Sequence, residues 1–167
     1  MNYKKKLVLL VLCMIIGVTG YYYTQTKISI NCEEVFNTIK DKDWRVEDYT
    51  FFPPSMTIVL VYSISNPTNI PLEIEMDIDF YAGDYQISNL YENKQLAPGD
   101  ETTFEIELLY NSTILQKIYA NEEGYDSFTM DGWFKVKGNI FFISVESTKN
   151  FENEDVLSIL PTFDVVS

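Results

Sequence analysis

Asn66-Pro67-Thr68-Asn69-Ile70-Pro71-Leu72-Glu73-Ile74-Glu75-Met76-Asp77-Ile78-Asp79-Phe80-Tyr81-Ala82-Gly83 is the stretch that decides the fold. It opens on a turn, because the Pro67 ring fixes φ and removes a backbone donor. From Leu72 it alternates without error. Leu72, Ile74, Met76, Ile78 and Phe80 share one face, and Glu73, Glu75, Asp77 and Asp79 share the other. A period of two describes a strand with one side on a core and one in water. Parallel strands are usually buried on both faces, so this one predicts an antiparallel β protein.

The same pattern recurs on either side. Met56 to Ser65 places Ile58, Leu60, Tyr62 and Ile64 together, while Val59 and Val61 make its second face partly apolar, as in a central strand. Trp44 to Phe52 reads as a strand before it, broken by Pro53-Pro54, and Tyr85 to Leu90 reads as a weaker strand after the alternating run. Ala97-Pro98-Gly99-Asp100 is a turn leading into Thr102 to Tyr110, with Phe104, Ile106 and Leu108 inward. Phe128 to Val136 and Ile140 to Ser147 complete the series, joined by a hairpin turn at Lys137-Gly138-Asn139. Two short helices interrupt the strands. Asn31 and Glu34 resemble a capping box for a helix over Cys32 to Lys40, and Asn111-Ser112 starts a helix carrying Ile114, Leu115, Ile118 and Tyr119 on one face. The expected fold is mainly β: an antiparallel Ig- or fibronectin-III-like sandwich of about seven strands, preceded by an N-terminal transmembrane helix.

That preceding segment begins with Lys4, Lys5 and Lys6, then runs apolar from Leu7 to Val18 and ends in Tyr21, Tyr22 and Tyr23. As a helix, Leu7 to Tyr23 spans about 25 Å, near the lower limit for a hydrocarbon core of roughly 30 Å. The lysines orient the N-terminus to the cytoplasm, and the tyrosines suit the interfacial belt. A cleaved signal peptide ending near Val18-Thr19-Gly20 is the alternative, and both readings export the rest of the chain. The organisation expected is residues 1–26 signal anchor, 27–43 linker with a short helix, 44–151 sandwich and 152–167 tail. The apolar run Val156 to Val166 in the tail has no assigned role.

Composition narrows the chemistry. The chain of 167 residues carries 25 acidic against 12 basic residues, which disfavours nucleic acid and anionic lipid surfaces and favours cationic partners. Aromatic residues make up 15%, too many for a hydrated, disordered chain. Histidine is absent, which removes imidazole-dependent nucleophile activation and His-ligated zinc. Cys13 and Cys32 lie inside and beyond the apolar segment, so no intramolecular disulfide is expected, and Cys32 reads as a partly buried thiol.

These landmarks resemble the late embryogenesis abundant type 2 family, also called the water stress and hypersensitive response (WHy) domain. The carriers are Asn66-Pro67 closing one strand, the alternating strand followed by Gly83, Pro98-Gly99 before Thr102, the helix at Ile114, and a hairpin with Gly132 and Gly138. The resemblance spans about Trp44 to Phe151. It implies a fibronectin-III-like sandwich in stress-related proteins, some of them preceded by one membrane helix, and it brings no catalytic residues.

Candidate sites are few. Same-face carboxylates of the row Glu73, Glu75, Asp77 and Asp79 stand nearly 7 Å apart, too wide to share one Ca²⁺ held at about 2.3–2.6 Å, so the row reads as a solvated face. If Glu105 and Glu107 lay on the adjacent strand, like charges would oppose one another. The loop Asn121 to Asp126 has oxygen ligands without EF-hand spacing. Asn111-Ser112-Thr113 is an N-glycosylation sequon as well as a helix start. Phe51, Phe52, Phe141 and Phe142 are expected in core or belt. No catalytic residue, metal or cofactor is expected. The expected role is a non-enzymatic, membrane-anchored extracytoplasmic module in stress protection or envelope maintenance, with an unidentified protein partner; the alternative is an accessory subunit of an envelope complex.

Overall fold

The computed structural model describes residues 11–22, 29–30, 32–120, 128–140 and 143–155. Helix α1 occupies 11–22, α2 is Cys32–Phe36 and α3 is Ser112–Tyr119. Seven strands make up the body: β1 Lys40–Phe51, β2 Pro54–Ser65, β3 Leu72–Ala82, β4 Tyr85–Leu96, β5 Glu101–Tyr110, β6 Phe128–Ile140 and β7 Ile143–Asp155. All pairings are antiparallel, in a three-stranded sheet β1-β2-β5 and a four-stranded sheet β4-β3-β6-β7.

β3 is central to its sheet, and its alternation is fully used. Leu72, Ile74, Met76, Ile78 and Phe80 are 0, 0, 2, 7 and 3% exposed. Each such side chain contributes about 2 kcal/mol of burial. They meet Leu60, Tyr62, Ile64, Phe104, Ile106 and Leu108 from the other sheet in one core. β2 is the middle strand of the smaller sheet, and Val59 is buried on its second face, as its two-sided apolar pattern predicts.

Several expectations are corrected. β1 begins at Lys40 rather than Trp44, because the helix before it ends at Phe36. β4 is a full strand of 12 residues: it is polar because it is an edge, and its ladder with β3 runs its whole length. Lys137-Gly138-Asn139 is not a turn. These residues lie inside β6, opposite Glu146, Val145 and Ser144, and the strand pairing closes at Ile140 and Ile143. Cys32 is fully buried, not partly, and neither cysteine is bonded to the other. The Cys32 Sγ donates to the Ser147 carbonyl at 2.9 Å.

Among the described residues no helix is long and apolar enough to cross a membrane. The expected anchor, Leu7 to Tyr23, lies partly outside the described residues. Asn31, the loop Asn121 to Asp126, Phe141, Phe142 and the apolar run Val156 to Val166 lie wholly outside them.

Candidate functional site

Three places gather the residues singled out in the sequence. The first is the end of the sandwich where β2 stops. Asn66 is 1% exposed, and every polar group it has is used. Its Nδ2 donates to the carbonyls of Ile70 (2.8 Å), Leu96 (3.1 Å) and Ala97 (3.1 Å). Its Oδ1 accepts from the Thr68 amide at 2.9 Å and the Thr68 hydroxyl at 2.7 Å. Its own amide donates to the Asp100 carbonyl, and its carbonyl accepts from Gly99. One buried amide therefore joins the end of β2, the start of β3 and the turn between β4 and β5. Only an amide side chain supplies donors and acceptors on one short stem, and Pro67, exposed beside it, turns the chain so that Thr68 can reach back. Ala97-Pro98-Gly99-Asp100 is a type II turn: Gly99 has φ +79°, and Asp100 donates to the Ala97 carbonyl at 3.0 Å.

The glycines have separate reasons. Gly83 takes the positive φ of a two-residue hairpin between Ala82 and Tyr85. At Gly132 a Cβ would lie 2.1 Å from the Asp77 carbonyl oxygen, so no larger residue fits against β3. At Gly138 a Cβ would lie 2.2 Å from Ile30 Cδ1 and 2.8 Å from Ile70 Cδ1. Gly138 thus makes room for the chain entering the sandwich, a reason invisible in its turn-like neighbours.

The second place is the outer face of β3. Glu73, Glu75, Asp77 and Asp79 are half-buried rather than open to water, since strands flank them on both sides. Lys135 Nζ stands 3.4 Å from Glu75, and Lys137 Nζ stands 3.6 Å from Glu73. Asp79 accepts from Gln86 at 2.6 Å and Asn89 at 2.8 Å. Glu73 and Glu75 are thus paired with lysines and Asp79 with neutral amides, which hold the row in place without cancelling all its charge, and among the described residues no group of acidic or sulfur side chains is arranged to hold a metal. Glu105 and Glu107 belong to β5 in the other sheet, so the opposed like charges do not arise. Instead Arg45 on β1 meets Glu105 at 3.1 Å and Glu47 at 3.0 Å. Those two carboxylates, Glu105 first, raise the Arg45 pKa. Lys42, at 2.7 Å, leads the lowering of the Glu101 pKa, with Ser63 next. Water and salt screen such exposed pairs, which add little to stability.

The third place was missed in the sequence. On β1, Trp44, Val46, Tyr49 and Phe51 pair with Leu60, Ile58, Met56 and Pro54, the core-facing row of β2. Yet they are 57, 48, 54 and 72% exposed. Phe52 at the hairpin tip is 96% exposed. Of the core or belt placement expected for Phe51 and Phe52, the core half is therefore wrong. β1 is the outermost strand of its sheet, and no opposing strand covers this row among the described residues. The signal available was the Pro53-Pro54 break, which makes Phe51 and Phe52 a hairpin tip.

Asn111 caps α3, its Oδ1 accepting from Thr113 (3.0 Å) and Ile114 (3.1 Å). Its helix-start reading thus has a structural partner set, while Tyr119, expected on the apolar face with Ile114, Leu115 and Ile118, is exposed at the last turn of the helix.

No protein-family description and no curated protein matches the chain. Among solved structures, a protein from Archaeoglobus fulgidus is similar at 14% identity and a TM-score of 0.32, over 68% of this chain and 98% of that one. A protein from Arabidopsis thaliana, solved in solution, is similar at 19% identity and a TM-score of 0.35, over 66% of this chain and 78% of that one. What stands on the geometry is the class: a β protein of two antiparallel sheets sharing one core, with few short helices.

Proposed function

We propose that the chain is a non-enzymatic, extracytoplasmic β-sandwich module of the late embryogenesis abundant type 2 (WHy) kind, held at the membrane by its N-terminal segment. In this reading it works through protein–protein contacts in stress protection or envelope maintenance. The observation that carries it is the outer face of β3, where a full row of carboxylates is held in place by amides and lysines over a hydrophobic core. Such a face stays hydrated and resists self-association while remaining able to meet cationic or unfolding partners. The lack of histidine supports a role without imidazole chemistry, and the basic, apolar opening of the sequence supports export. The test is aggregation of a heated or dried client enzyme with the purified chain at stoichiometric ratios. Protection is expected; unchanged aggregation ends the protective reading.

A second reading, an accessory subunit of one envelope complex, is favoured by the bare row Trp44, Val46, Tyr49 and Phe51, which has the character of a specific contact surface. Crosslinking in native membranes then yields one stoichiometric partner. A ladder of many weak partners favours the first reading.

A further inference from the structure

We infer that Asn111 accepts an N-linked oligosaccharide at its Nδ2 while its Oδ1 goes on capping α3. Asn111 meets a sugar donor only if the chain is exported, as the proposed function has it, and the β1 row stays bare either way.

Two places in the chain carry asparagine with serine or threonine two residues on: Asn66-Pro67-Thr68 and Asn111-Ser112-Thr113. The fold treats them in opposite ways. A proline between the two residues already removes the first from the acceptor pattern. Burial removes it again, since Asn66 is 1% exposed and its Nδ2 donates to three carbonyls. Asn111 and Thr113 are both exposed. The helix-start bonds of Asn111 end on Oδ1 alone, from the Thr113 and Ile114 amides. Among the described residues its Nδ2 donates to no group, and the Thr113 hydroxyl takes part in no hydrogen bond. The nitrogen to be modified and the hydroxyl that marks the site are thus the two groups the fold leaves unused.

The transfer is compatible with the cap. The amide nitrogen attacks C1 of the first sugar of an oligosaccharide held on a polyprenyl phosphate or pyrophosphate. The Nδ2–C1 bond forms, the bond from C1 to the phosphate oxygen breaks with its electron pair, and one Nδ2 proton passes to a base. The product is still an amide, so Oδ1 keeps both lone pairs for the two helix amides. Asn111 has an extended backbone (φ −79°, ψ 172°) and stands outside the helix it caps.

Its place in the body suits a tethered domain. β5 begins opposite Ser65, near the contact of Ile30 and Ile70 with Gly138, and ends at Tyr110. Asn111 therefore lies about 30 Å along β5 from the end where the N-terminal segment joins the body. A sugar there stands clear of a membrane holding that segment and adds a bulky, hydrated group at the surface.

The test expresses the full chain, with an Asn-Gly-Thr reporter in a flexible extension after Ser167, in a host whose exported proteins carry N-linked sugars. Mass spectrometry of the peptides reads both sites. The Asn111 peptide is expected to gain the mass of an oligosaccharide. Thr113→Ala should abolish that gain while the reporter keeps its sugar, and Asn111→Asp, which keeps the cap, should abolish it too. A sugar on the reporter with Asn111 bare overturns the inference and leaves export standing. Both sites bare overturns it together with the export on which it rests. A gain that survives Thr113→Ala also overturns it, because the transfer then does not read this motif.

Discussion

β3 and β1 carry the same kind of row and meet opposite fates. Ile74, Met76 and Ile78 are buried, whereas Trp44, Val46 and Tyr49, also on the core-facing side of their sheet, are about half exposed. The difference lies in what stands opposite. β3 has strands on both flanks and a sheet across from it; β1 is an outer strand overlooked by no other among the described residues. Alternation thus tells which residues share a face, and topology alone tells whether that face is covered.

The contrast can be broken by substitution. Ile74→Ala should cost about 3–4 kcal/mol in chemical denaturation, whereas Val46→Ala should cost less than about 1 kcal/mol. Equal losses would mean that β1 is as covered as β3. Asn66→Ala comes next, at about 2–3 kcal/mol, because three carbonyls each lose a donor and the Thr68 amide loses its acceptor inside the protein. Asn66→Asp should be no better, since a carboxylate cannot donate to them.

A smaller effect comes with pH. Burial, then the charge of Asp41, pushes the Tyr62 phenol from 10.0 up to about 12. The fold favours the neutral phenol, so this contribution is intact below pH 10 and disappears as pH rises through about 12. Denaturation midpoints should fall over that window, and Tyr62→Phe should flatten part of the fall. A steeper fall in Tyr62→Phe would contradict the assignment.

Much of the fold was legible because hydrophobic alternation is local. β2, β3 and β5 announce themselves within ten or so residues. β4 is harder to see at its full length, since a polar edge strand offers little alternation and is held by its neighbour's backbone. Asn66-Pro67 was recognisable as a marker, but its reason was not, because Leu96 and Ala97 lie 30 and 31 positions away. Gly138 misled for the same cause: its neighbours suggest a turn, while Ile30, far off in sequence, explains it. The acidic row was recognisable as one face of a strand, yet its lysine partners on β6 depend on a register that only the folded sheet supplies.

The seating of Ile30 against Gly138, with Asp155 at the far end of β6, bears on how the body answers a pull. From Thr129 to Gly138 is about 30 Å along β6, so a load between residues 30 and 155 acts lengthwise. Adjacent strands would then be drawn past one another, and many ladder bonds would share the strain instead of parting in turn. A body so arranged can bear tension from a tether without unravelling from one corner.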